Sequence, residues 1–174
     1  VLVFFLQPPQ NFNSPYTQMK NIWISQGFAK EALHADFAAL TALPADNLSK
    51  IKIDLEKNAS ASSQPAIKDL APIYSKLTDA ALLFKAINQK SESLSTSATG
   101  FCELLQEYTQ LNAQMQALNN DFTSLSANID NFIQKHPAEA GEIDLFSIKG
   151  QNATLAQNLA NQNQVIQLAG NECA

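Results

Sequence analysis

FCELLQEYTQLNAQMQALNNDFTSLSANIDNF, residues 101–132, holds an unbroken apolar ladder with rungs alternately three and four residues apart. The rungs are Phe101, Leu104, Tyr108, Leu111, Met115, Leu118, Phe122, Leu125, Ile129 and Phe132. A seven-residue repeat of this kind places one stripe along a helix, and that stripe must lie against other helices. At a rise of 1.5 Å per residue the stripe runs about 46 Å, too long to remain in water.

Working outward, the segments on either side repeat the pattern. Ser14-Pro15 opens a helix with a capping hydroxyl and a proline in the first turn, and Met19, Ile22, Trp23, Ala29, Leu33, Phe37 and Leu40 mark its apolar face as far as Leu43-Pro44. A shorter helix over about 46–60 turns Leu48, Ile51 and Leu55 inward. Pro65 restarts a helix whose stripe is Ile67, Leu70, Tyr74, Leu77, Ala81 and Phe84, with Pro72 as a kink. The serine-rich run 91–100 reads as a break or weakened helix. A continuous helix is the rival reading, because Leu83, Ile87, Leu94 and Phe101 keep a seven-residue phase. Residues 136–142 form a turn. A last helix carries Leu145, Ile148, Asn152, Leu155, Leu159, Gln162, Ile166 and Ala169, and its two amides, Asn152 and Gln162, are of the kind that sets register in a helical seam. The expected fold is therefore all-α: an antiparallel up-down bundle of four long helices and one short one. It occupies residues 14–174 behind an apolar, proline-containing segment, 1–13.

Cys102 opens the ladder helix and Cys173 closes the last one. The midpoint between them falls inside the turn, so folding two antiparallel helices about that turn brings the pair side by side. A Cys102–Cys173 disulfide is expected, with two unpaired thiols as the alternative. Such a bond places the chain outside the reducing cytosol, secreted or otherwise extracytoplasmic.

Composition narrows the partners. The chain has 174 residues, a net charge of −5, and eleven basic residues that are all lysine. Without arginine, and with a pI near 4.9, neither nucleic acid nor an anionic lipid surface is an expected partner. The start, Val1-Leu2-Val3-Phe4-Phe5-Leu6, lacks an initiator methionine and reads as processed or trimmed. Six apolar residues cannot span a bilayer. They are either the end of a removed membrane segment or anchor, a sticky strand covered by a partner, or a segment packed back on the bundle.

Chemistry-bearing patterns are sparse. Glu31-Ala32-Leu33-His34 has the Glu-x-x-His spacing of di-iron bundles, but only one copy occurs, so no two-metal site can be built. The two cysteines and two histidines are scattered, and the five glycines form no phosphate-binding loop. Glu139, Glu142 and Asp144 gather near one turn without the alternating oxygen pattern of a calcium loop. The sequons at Asn47, Asn58 and Asn152 read as chance in a chain rich in asparagine and serine. No cofactor, metal site or catalytic residue is expected. The stripe aromatics suit a core, although bundles that hold apolar ligands share that composition. The expected role is thus non-catalytic: an interaction or structural module that binds a protein partner or itself, with residues 1–6 as a candidate contact. A ligand-binding sensor or carrier bundle ranks second, and a membrane-active helical protein third.

Overall fold

The computed structural model describes residues 15–27, 37–97, 100–140 and 146–173, and these are helical apart from short connections. Seven helices follow one another among them: α1 (Pro15–Ser25), α2 (Phe37–Ala42), α3 (Ala45–Ala61), α4 (Pro65–Ser97), α5 (Phe101–Lys135), α6 (Pro137–Ala140) and α7 (Phe146–Gly170).

The fold is an all-helical bundle, but its first part is cut more finely than the apolar pattern implied. The single long helix expected from Ser14 to Leu43 is interrupted. After α1 the chain turns at Gln26-Gly27, whose amides bond back to the carbonyls of Trp23 and Ile24, both at 3.1 Å. Gly27 has φ +95°, a backbone state that only glycine enters at little cost. Among the described residues the long helices are therefore three, α4, α5 and α7, and the expected first long helix is not one of them. The segment 28–36, with Glu31 and His34, lies outside the described residues.

The serine-rich run resolves the other way. α4 continues through Pro72 and on to Ser97, so no break begins at Ser91. Two features hold this end helical. Leu94 is buried, and the Ser93 hydroxyl donates to the Lys90 carbonyl at 2.7 Å, which satisfies it without disturbing the ladder. Gly100, in extended conformation, immediately precedes α5.

Side-chain bridges give the sense of each pairing. Lys52 on α3 grips Asp79 on α4, with its ammonium 2.9 Å from both carboxylate oxygens. Between α4 and α5, Lys76 donates to Ser124 and Lys90 to Gln110, so these two helices run antiparallel. α1 lies along α4 with the Trp23 ring centroid 4.5 Å from that of Tyr74, and the Asn47 amide ties the Gln26 carbonyl to the start of α3. Those contacts run α1 in the same sense as α4. Lys85 holds the end of α2 through the Thr41 carbonyl at 3.0 Å.

The core is centred on α4. Met19, Trp23, Leu48, Ile51 and Leu55 close on one side of it, and Leu118, Phe122, Leu125, Ile129 and Phe132 of α5 on the other. Thr78, buried within it, satisfies its hydroxyl on the Tyr74 carbonyl at 2.8 Å.

The ladder itself is not uniformly buried. Phe101 and Tyr108 are exposed, Met115 is half-buried, and Phe122 and Ile129 are buried. These five residues occupy one heptad position, and their burial rises steadily along the helix. A straight α-helix drifts about 20° per heptad against a seven-residue repeat. Over the four heptads from Phe101 to Ile129 that amounts to roughly 80°, enough to swing the stripe from the open side of α5 into the α4 interface. The expectation that every rung packs inward fails at Phe101 and Tyr108 for this reason.

On α7 the part of the expected stripe from Leu155 to Ala169 is where the spacing put it, while Leu145 and the side chains of Ile148 and Asn152 lie outside the described residues. Leu155, Leu159, Gln162, Ile166 and Ala169 turn inward, while the positions between them, from Ala153 to Leu168, are exposed. Only Leu159 among them is fully buried. α7 is a helix laid on the outside of α5, and that leaves a site.

Candidate functional site

Cys102 and Cys173 are joined by a disulfide, with their Cα atoms 5.7 Å apart. Ten residues further along α5 and ten back along α7, the Asn112 side-chain amide donates to the Asn163 amide oxygen. The two links share one register, so they fix α5 and α7 as an antiparallel hairpin closed at its open end by the disulfide.

Next to that staple the hairpin leaves an apolar groove of about 490 Å³. Phe101, Leu104, Leu105 and Tyr108 line it from α5, and Val165, Ile166 and Ala169 from α7. Asn161 and Gln162 supply the polar contacts, and no ionisable side chain other than the Tyr108 phenol lines it. The exposures are large: Phe101 55%, Tyr108 43%, Val165 65% and, beside the groove, Leu168 66%. The cause is the drift described above. At the start of α5 the ladder faces the groove beside α7, and no third described helix lines it. Scattered apolar residues on a surface are ordinary, but two adjacent helices presenting four of them around a concave groove form a patch.

The opposite end of the bundle carries the main polar cluster. The imidazole Nε2 of His136 lies 2.9 Å from Asp69 Oδ2, and Lys135 Nζ lies 3.7 Å from the same atom. The imidazole also stacks against Phe132, with centroids 4.9 Å apart. The hydrogen bond from His136, aided by the charge of Lys135, holds the Asp69 carboxyl below the ordinary carboxylate range. A depressed carboxylate pKa adds stability above its unfolded value, near 3.9, and that stability is lost as pH falls through the folded value. Asp69→Asn is accordingly expected to lower stability at pH 7 by about 0.5 kcal/mol, a figure kept small because the carboxylate is half exposed to solvent. In urea titrations the difference from the native chain should shrink as pH falls below the ordinary carboxylate range and Asp69 takes up its proton in the folded chain, and a difference that stays constant through the acid titration would refute the ion-pair account.

This cluster bonds α4 to the end of α5. Among the described residues no group of three or more histidine, cysteine, aspartate or glutamate side chains is placed to hold a metal, and no helix is long and apolar enough to cross a membrane.

Several residues singled out in the sequence fall elsewhere. Val1–Leu6, Glu142, Asp144 and the side chain of Asn152 lie outside the described residues. Gln162 is half-buried and lines the groove. Among the described residues an amide contact bridges the hairpin at Asn112–Asn163. The pair was detectable in principle, since each asparagine stands ten residues from a cysteine in a matched direction. Asn47, the first sequon residue, spends its side-chain amide on the Gln26 carbonyl.

No protein-family model, no curated protein and no solved structure matches this chain.

Proposed function

We propose that this chain is a non-catalytic, extracytoplasmic interaction module that presents the groove at the stapled end of the α5–α7 hairpin to another protein surface. The observation that carries the reading is the groove itself, with Phe101, Tyr108, Val165 and Leu168 left in water. Aromatic and aliphatic anchors in a concave, uncharged patch, rimmed by amides, are the ordinary make-up of a protein-binding surface. The disulfide supports an oxidising compartment. It also supports the role, because a hairpin fixed by a covalent bond and an amide bridge loses little conformational entropy on binding.

Photo-crosslinking from the groove tests this. A benzoylphenylalanine replacing Val165 should give a discrete cross-linked product on irradiation in the medium of expressing cells. The same probe at Ile53, an apolar residue of α3 with 62% exposure and no groove around it, should give none. Absence of any product from position 165 would sink the reading.

A carrier role is the second reading, favoured by the groove's volume and apolar lining, which fall within the range of small-molecule sites. It requires a small molecule retained in native mass spectra of the purified chain.

A further inference from the structure

We infer that the occupant of the groove is the same face of a second copy of this chain, the two α5–α7 hairpins packing about a two-fold axis into a four-helix layer. The inference rests on the interaction reading above and adds the identity of the partner.

Two observations carry it. The first is charge. An isologous interface sets each residue against its own patch, so any net charge on the patch is repelled by its copy. Here the lining has none, in a chain whose net charge is −5. A strongly basic or acidic partner has nothing to pair with in the groove, whereas an identical neutral face meets no penalty.

Area is the second. With Phe101 and Tyr108 about half exposed and Val165 and Leu168 about two-thirds exposed, the patch leaves roughly 400 Å² of apolar surface in water. Two such patches face to face remove about 800 Å² from water. Interfaces are about 60% apolar, so this corresponds to a total near 1,300 Å², at the lower end of specific interfaces. A single small molecule would leave part of the four exposed side chains uncovered.

Pairing the hairpins also completes a layer. Four helices in antiparallel pairs bury their facing stripes on one another, and that arrangement supplies the neighbour Phe101 and Tyr108 lack.

Sedimentation equilibrium on the full chain tests the inference. The weight-average mass should rise with concentration from 18.9 kDa toward twice that value. The double variant Val165→Glu, Leu168→Glu should weaken association at least about tenfold, with unchanged helicity, since both positions are largely in water. Ile53→Glu and deletion of residues 1–14 should leave association unaltered. If the double variant misfolds, the benzoylphenylalanine at Val165 decides: the cross-linked product should have twice the chain mass and join α5 or α7 of one copy to α5 or α7 of the other. Three results would overturn the inference: a constant 18.9 kDa up to about 1 mM, a dimer indifferent to the two glutamates, or a dimer lost on deletion of residues 1–14. A cross-link to a different protein would overturn it too, yet would leave the interaction module standing.

Discussion

Replacing Cys102 and Cys173 together by serine is expected to destabilise the chain by about 4 kcal/mol, because the disulfide spans 71 residues and removes much of the freedom of the unfolded loop. The loss should be unevenly distributed. Among the described side chains of α7, Leu159 is the one fully buried, and it contributes roughly 2 kcal/mol. The half-buried stripe residues and the Asn112–Asn163 bridge add less. The α1–α5 core, gathered around Trp23, Leu55, Leu77 and Phe122, does not depend on the staple. Amide exchange should therefore quicken in α7 by two orders of magnitude or more, as about 3 kcal/mol implies, while protection around Leu70–Leu77 persists. Circular dichroism of the reduced chain should show partial, not complete, loss of helix. If all helices exchanged together, the hairpin would be part of one cooperative unit and the view of α7 as an outlying element would be wrong. If the stability change were below 1 kcal/mol, the unfolded ensemble would already hold the two helix ends close.

How far the sequence carries this picture depends on which periodic signal is asked to do the work. The spacing on α7 was legible from Leu155 to Ala169, because a short stripe accumulates little angular drift. The disulfide was legible from the placement of Cys102 and Cys173 about one turn. The interruption at Gly27 was not, since the apolar spacing of α1 runs on in phase past Ser25 and nothing in it signals the turn that Gly27 makes at φ +95°. The persistence of α4 through Ser91–Ser97 was ambiguous for the opposite reason. Serine is a weak helix former in isolation, and the contacts that overrule it, Leu94 in the core and the Lys90 bridges to Gln110 and Glu107, are tertiary. The groove was hidden for a third reason. Phe101 and Tyr108 belong to the same heptad phase as Phe122, and a repeat read as perfect gives no hint that its two ends face different surroundings.

Phe101 and Phe122 therefore supply the sharpest test of the drift, being the same residue type at the same heptad position, three repeats apart. Phe122→Ala removes a side chain that is 2% exposed and packed between α5 and α4. The cost is expected to be about 3–5 kcal/mol, the transfer loss plus the cavity left in a close-packed core. Phe101→Ala removes one that is 55% exposed. At concentrations where the chain is monomeric its cost should stay within about 0.5 kcal/mol, because half the ring is already in water and alanine is the better helix former. Urea unfolding of both variants under one condition measures the contrast directly. Equal costs would mean that the ladder is buried along its whole length and that the groove is closed in solution. The contrast should also invert when association is measured. Phe101→Ala trims an anchor from the proposed two-fold face and weakens the dimer, whereas a mildly destabilising Phe122→Leu leaves that face intact and dimerisation unchanged. One heptad position then carries two separable duties, holding the core at one end of α5 and offering a surface at the other.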